Sequence, residues 1–140
     1  MFSYIANQLK TVFSLKAQRS TAAAGAIKGT AVDIGEAEGP IIVAVDAPVA
    51  SSGDTINFTV QHSYTTTDGD FTNVDAATLI DPSTGQAATF TQVTDAVAVS
   101  QQLALKRENV RRYIRVVATT AGSSIDVTFA ASVSFLQKYF

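Results

Sequence analysis

A chain of 140 residues with 46% hydrophobic side chains is one domain by length and large enough to bury a core of its own. It has no cysteine and one histidine, His62, which rules out a disulfide framework and a typical zinc site. The formal net charge of -2 hides a segregation along the chain. Residues 1 to 28 carry Lys10, Lys16, Arg19 and Lys28 and no acid. Residues 29 to 105 carry Asp33, Glu36, Glu38, Asp46, Asp54, Asp68, Asp70, Asp75, Asp81 and Asp95 and no Lys or Arg. Lys106, Arg107, Arg111, Arg112 and Arg115 then follow, with Glu108 among them. This distribution predicts an acidic body with a basic arm and a basic loop. No stretch approaches eighteen consecutive apolar residues, so no membrane-spanning helix is expected.

In chain order, Phe2, Ile5, Leu9, Val12, Phe13 and Lys16 recur at helical spacing. They predict one amphipathic helix over residues 3 to 18, with Ser3 as N-cap. The acid-free start ends in Ala22-Ala23-Ala24-Gly25-Ala26, but Asn7, Gln8 and Lys10 interrupt its apolar run, so it is not read as a secretory leader. Ser20 to Gly29, small and glycine-containing, has the composition of a linker. The expected organisation is therefore a helix and linker arm over 1–28 and a β domain over 29–140 with a docked C-terminal tail.

Within the β domain, Thr30 to Ile34 is a short strand, Gly35 to Pro40 a turn, and Ile41 to Val45 a strand buried on both faces. Asp46 to Asp54 connects to Thr55–Ser63, where Ile56, Phe58, Val60 and His62 alternate with polar residues and predict a half-buried strand. Asp68-Gly69 marks a turn. Val74 and Leu79 have edge character, and Asp81 to Gly85 turns again. Ala88 to Val93 is a short Thr-rich strand around Phe90, and Val97 to Leu105 alternates once more. After the charged loop Lys106 to Arg111, residues 112 to 120 and 123 to 135 have the form of a hairpin turning at Gly122. In its second arm Ile125, Val127, Phe129, Ala131, Val133 and Phe135 alternate without a break and predict one buried face. Thr55–Ser63 is its expected partner strand. The fold class is all-β: an antiparallel β-sandwich or jelly-roll-like barrel with an N-terminal amphipathic helical arm. Leu136, Tyr139 and Phe140 make the last residues apolar, which predicts a docked tail.

Chemistry-bearing patterns are sparse. His62 lies on the apolar face of a strand, and the chain has no G-x-S-x-G elbow for it to serve. Asp68-Gly69-Asp70, with Asp75 nearby, offers carboxylates without EF-hand spacing or its terminal Glu; turn chemistry accounts for the motif, and calcium at Asp68 and Asp70 stays open. No phosphate-binding glycine loop is present, and no carboxylate pair is singled out. The expectation is a non-enzymatic protein without cofactor or metal. Its partner-contact candidates are Phe2, Ile5, Leu9, Lys10, Val12, Phe13, Lys16 and Arg19 on the arm, Lys106, Arg107, Arg111 and Arg112 on the loop, and Tyr139 and Phe140 on the tail. The acidic total and the lack of interleaved stacking residues argue against nucleic acid as the partner.

Three segments together carry a resemblance: Phe58-x-Val60-x-His62-Ser63, then Gly69-Asp70-Phe71-Thr72-x-Val74, then Val110 to Val117 (VRRYIRVV), followed by the alternating last strand. Over roughly residues 30 to 135 the chain resembles small virion structural proteins of tailed bacteriophages, some of which act as capsid decoration or cement proteins. The resemblance implies a non-enzymatic, β-rich homo-oligomer, with a trimer favoured. It would bridge major capsid subunits at three-fold or quasi-three-fold positions of an HK97-like shell. Its location would be the virion, the head in particular, after assembly in the host cytoplasm. A neck or tail component of the virion is the alternative. A carbohydrate-binding β-sandwich, with Tyr64 and Phe71 as stacking residues, is a further one.

Overall fold

The computed structural model describes residues 8–138. The strands, all antiparallel, are β1 (Leu9–Ser20), β2 (Gly25–Lys28), β3 (Val32–Asp33), β4 (Ala37–Ala47), β5 (Thr55–Ser63), β6 (Thr72–Asn73), β7 (Leu79–Ile80), β8 (Val99–Lys106), β9 (Tyr113–Ala121) and β10 (Val127–Gln137). They form two sheets packed face to face. The first runs β1-β10-β4-β8-β7; the second runs β2-β9-β5-β6, with β3 also pairing β9. Between them lies one core that includes Leu15, Ile41, Val43, Ile56, Leu103, Ile114, Phe129 and Val133, each 2% exposed or less. Burying a side chain of this kind contributes about 1.5–3 kcal/mol, so the inward rows of both sheets hold the sandwich together.

The β-sandwich expectation holds, and β5 has the bounds its alternation predicts. Every inward residue predicted for the last strand, from Ile125 to Phe135, is buried. Four expectations are corrected. First, residues 9 to 20 are a strand, not a helix, and residues 3 to 7 of the predicted helix lie outside the described residues. The register of β1 on β10 slips between Phe13 and Leu15 and again between Leu15 and Gln18. At a bulge two residues oppose one, so Ser14 and Leu15 are both buried, and the broken period of two imitates helical spacing. Second, the linker is built into the fold: β2 pairs β9 from Gly25↔Thr120 to Lys28↔Val117. From Leu9 onward the expected arm therefore belongs to the two sheets. Third, β9 and β10 are not hairpin partners. They lie in opposite sheets, and residues 122–126 cross the sandwich between them. Gly122, with φ +147, takes the backbone over the buried Asp54, whose carboxylate accepts a 2.9 Å bond from the Asp126 N–H. Fourth, the Thr-rich segment Ala88 to Val93 is not a strand: it meets β5 through the Ile56↔Val93 bridge, a 3.3 Å bond from the Gln92 amide to Asn57 Oδ1, and the buried Phe90 ring, edge to face with Phe58.

One contact fixes the β1 edge to the second sheet. Ser14 Oγ donates to the Thr30 carbonyl and accepts from the Val116 N–H, both at 2.9 Å. Gly29 leaves room for it: a Cβ there would collide with Ser14 Oγ and lie 2.6 Å from the Val116 carbonyl oxygen. The bulge thus positions β1 as the outermost strand of its sheet, with the Ser14 carbonyl accepting a 2.7 Å bond from the Thr30 N–H.

Candidate interaction surface

The start of β1, the end of β10 and the loop between β8 and β9 meet at one end of the sandwich. Their side chains line an open cleft of about 430 Å³ that includes Lys10, Asp33, Glu36, Arg107, Arg112 and Gln137. Two regions far apart in sequence, the predicted arm and the predicted basic loop, are therefore brought together. Lys10 and Lys106 are exposed at this end, and Lys16 is exposed farther along β1. None of the three forms an ion pair among the described residues. Beside them, Leu9 is 55% and Phe13 51% exposed, and Leu136, directly across from Leu9 in β10, is 44% exposed. Val12 turns the other way and packs against the core.

The arginines behave differently from these lysines. Arg107 donates to the Ile34 carbonyl at 2.9 Å and the Val110 carbonyl at 3.0 Å, so it closes the turn Arg107–Asn109 against the chain before β4. Arg112 forms a two-pronged pair with Asp33, at 3.2 and 3.0 Å. That guanidinium, with the Gly35 N–H and Lys10 adding, holds the Asp33 carboxyl below the usual carboxylate range despite some burial. Arg111 lies over the Tyr64 ring, 5.0 Å from its centre, and its N–H donates to His62 Nδ1 at 3.3 Å. Burial and the neighbouring Arg111 lower the His62 pKa, which keeps Nδ1 free to accept that bond. Arg19 is paired with Asp126 at 2.7 Å on the flank of the sandwich, away from the cleft. Phe2, Ile5, Tyr139 and Phe140 lie outside the described residues.

Arg115, not among the predicted contact residues, is the most buried of the cations, with its side chain 7% exposed. It bonds Gln61 at 2.9 Å and Asp68 at 2.6 Å and lies 4.1 Å over the centre of the Phe71 ring. Lys28 reaches the same Asp68 at 2.8 Å, and the two cations, Lys28 foremost, lower its pKa. The Asp68-Gly69-Asp70 turn is thereby pinned to the outer face of the second sheet. This arrangement also settles Phe71: it is buried beneath Arg115 and offers no stacking face, whereas Tyr64 is 72% exposed. No group of three or more metal-ligating side chains occurs among the described residues.

No protein-family model matches the chain, and no curated protein matches it in sequence. Among solved structures, the protein of infectious bursal virus-derived T=1 particles superposes with a TM-score of 0.53 at 12% identity, over 91% of this chain and 31% of that one. The SPBc2 prophage-derived protein YomS matches with a TM-score of 0.49 at 12% identity, over 90% of this chain and 92% of that one. A xylan-binding domain from CBM 22 matches with a TM-score of 0.44 at 10% identity, over 95% and 89% of the two chains. This chain spans about a third of the length of the viral particle protein. At such low identity the first of these likenesses establishes a shared two-sheet β-sandwich, the fold on which this surface is built.

Proposed function

We propose that this protein is a non-enzymatic structural component of a phage virion, and specifically a decoration or cement protein that bridges major capsid subunits. The observation that carries the proposal is the β1 side of the sandwich. There Leu9, Phe13 and Leu136 are bare, Lys10 and Lys16 are exposed on the same strand, and neither lysine forms an ion pair among the described residues. Apolar anchors bordered by cations suit contact with an acidic protein surface, because burial supplies affinity and charge supplies orientation and encounter rate. The sequence resemblance to small phage virion proteins points the same way, and the fold is one that a viral particle protein also uses. The mechanism is mechanical. A copy that touches two shell subunits binds only when both are in place, so mass action favours the intact lattice. A trimer at three-fold or quasi-three-fold positions would repeat the β1 surface toward each neighbouring subunit.

The test is the ratio of this protein to the major shell protein in purified particles. A fixed ratio near one trimer per three-fold position supports the decoration role. A handful of copies per particle would replace it with a neck or tail component, and absence from particles would end it.

A further inference from the structure

The two sheets differ in what covers their outer faces. That of the second sheet is closed by its own chain: Val117 and Phe71 are 4% and 8% exposed although neither belongs to the central core, and Lys28 and Arg115 pair with Asp68 there. That of the first sheet is open. Val12, Val133, Val43 and Leu103 stand side by side across four strands and face the core, so the rows on either side of them face outward. One such row is Thr11, Ser134, Ile42, Ala104 and Ile80; the other is Phe13, Ser132, Ala44 and Gln102. Neither row holds a charge, and none of these side chains is buried. An open antiparallel face ordinarily turns its apolar residues to the core and its polar ones to water, yet here Ile42, Ile80 and the 51%-exposed Phe13 point outward. A depression of about 270 Å³ lies beside Phe13, with Ala44, Ala130, Ser132 and Gln102 in its lining.

We propose that the whole outer face of the first sheet, not the β1 side alone, is the docking footprint, and that a flat, uncharged sheet face of a shell subunit covers it. This rests on the docking role proposed above and extends it across β10, β4 and β8. The Ala, Ser and Thr side chains keep the face low, so a second sheet can pack on it at roughly 10 Å, with one large apolar side chain seated in the depression beside Phe13. A charge set over either row would lose its water and meet no counter-ion, which selects a partner that is uncharged there. The partner's acids belong at the border, toward Lys10 and Lys16 of β1. Size agrees with this occupant. β10 and β4 have 11 residues each and stand between β1 and β8. At roughly 3.3 Å per residue and 4.8 Å per strand, four strands present about 700 Å², close to the roughly 800 Å² that each side of a standard stable contact buries.

The middle strand of the sheet argues against a second copy in the same place. β4 carries Glu38, beside Leu136, and Asp46, beside Ala130, at the two ends of this face. Both are exposed, and neither forms an ion pair among the described residues. A face laid on itself is related by a two-fold axis. With the axis along β4, Glu38 meets Glu38 and Asp46 meets Asp46; with the axis across β4, Glu38 meets Asp46. Carboxylates oppose carboxylates either way, and like charges set against each other weaken a contact. A different protein is free of that constraint.

Co-sedimentation of the full-length protein with shells purified without it reads the footprint. Ala44→Lys puts a cation at the centre of the face, and Gln102→Lys puts one on β8, three strands from β1. Both positions face outward, so each variant should keep the parental thermal midpoint; should Ala44→Lys not fold, Gln102→Lys at its exposed position carries the test. Added positive charge would only strengthen long-range attraction to an acidic partner, so a loss of binding reports burial of the position. Both variants are expected to attach more weakly than the parent by about tenfold or more. Thr119→Lys, exposed on the outer face of the second sheet, should attach at parental strength. Parental attachment by folded Gln102→Lys, with Phe13→Asp weakened, would overturn the footprint and leave the docking role standing. Equal weakening by Thr119→Lys would overturn it as well. A parent protein that fails to attach at all would remove the docking role and this inference with it. A parent that sediments alone as a dimer, made monomeric by Ala44→Lys, would overturn the inference by giving the face to a second copy.

Discussion

Two sets of cations occupy the surface of this sandwich and have opposite fates. The arginines of the segment 107 to 115 are turned onto their own chain: Arg107 to two backbone carbonyls, Arg111 over Tyr64, Arg112 to Asp33, and Arg115 to Gln61 and Asp68. Lys10 and Lys16 of β1 and Lys106 at the end of β8 form no ion pair among the described residues. The guanidinium fork matches carbonyl and carboxylate geometry and carries several bonds at once, so it ties loops to sheets. An ammonium on a flexible stem stays hydrated and available. A basic stretch in sequence is thus not one functional unit: in this fold its arginines hold the scaffold and its lysines face outward.

Substitutions break this contrast in a graded way. Arg115→Ala has the largest expected effect on stability, a loss of about 2–3 kcal/mol in chemical denaturation, because a buried charged group loses two bonds and its packing on Phe71. Arg107→Ala should cost about 1–2 kcal/mol by the same measurement, since two carbonyls lose their donor. His62 sharpens the contrast through pH. Its folded pKa lies below the unfolded value, so the unfolded chain binds more protons in that window. Stability should therefore fall as pH drops from about 6.5 toward the lowered folded value, and His62→Gln should flatten that slope. Lys10→Glu with Lys16→Glu should leave stability within about 0.5 kcal/mol of the parent. The same pair should still weaken attachment to shells in a salt-dependent manner, measured by co-sedimentation at two ionic strengths.

How much of this was legible in the sequence depends on the range of each interaction. Strands with an unbroken period of two were legible: β5 has its predicted bounds, and the inward row from Ile125 to Phe135 is buried throughout. Where a bulge breaks the period, as at Ser14 in β1, a strand reads as a helix. Alternation also reports which face is buried but not which strand is the neighbour, so β9 and β10 read as a hairpin although they belong to different sheets. The fates of the arginines were hidden for a similar reason. Arg112 finds Asp33 79 positions away and Arg115 finds Asp68 47 positions away, pairings that no local pattern announces. The packing around Phe58 was equally hidden, since Val74, Leu79 and Phe90 come to one cleft beside it from three separate segments.

The most direct test of the account is attachment of a β1 variant to purified shells. Phe13→Asp places a charge on an exposed position and should leave the thermal midpoint unchanged. If the β1 side is the docking surface, the variant sediments with shells at least tenfold more weakly than the parent. Attachment at parental strength by a folded Phe13→Asp protein would contradict the account.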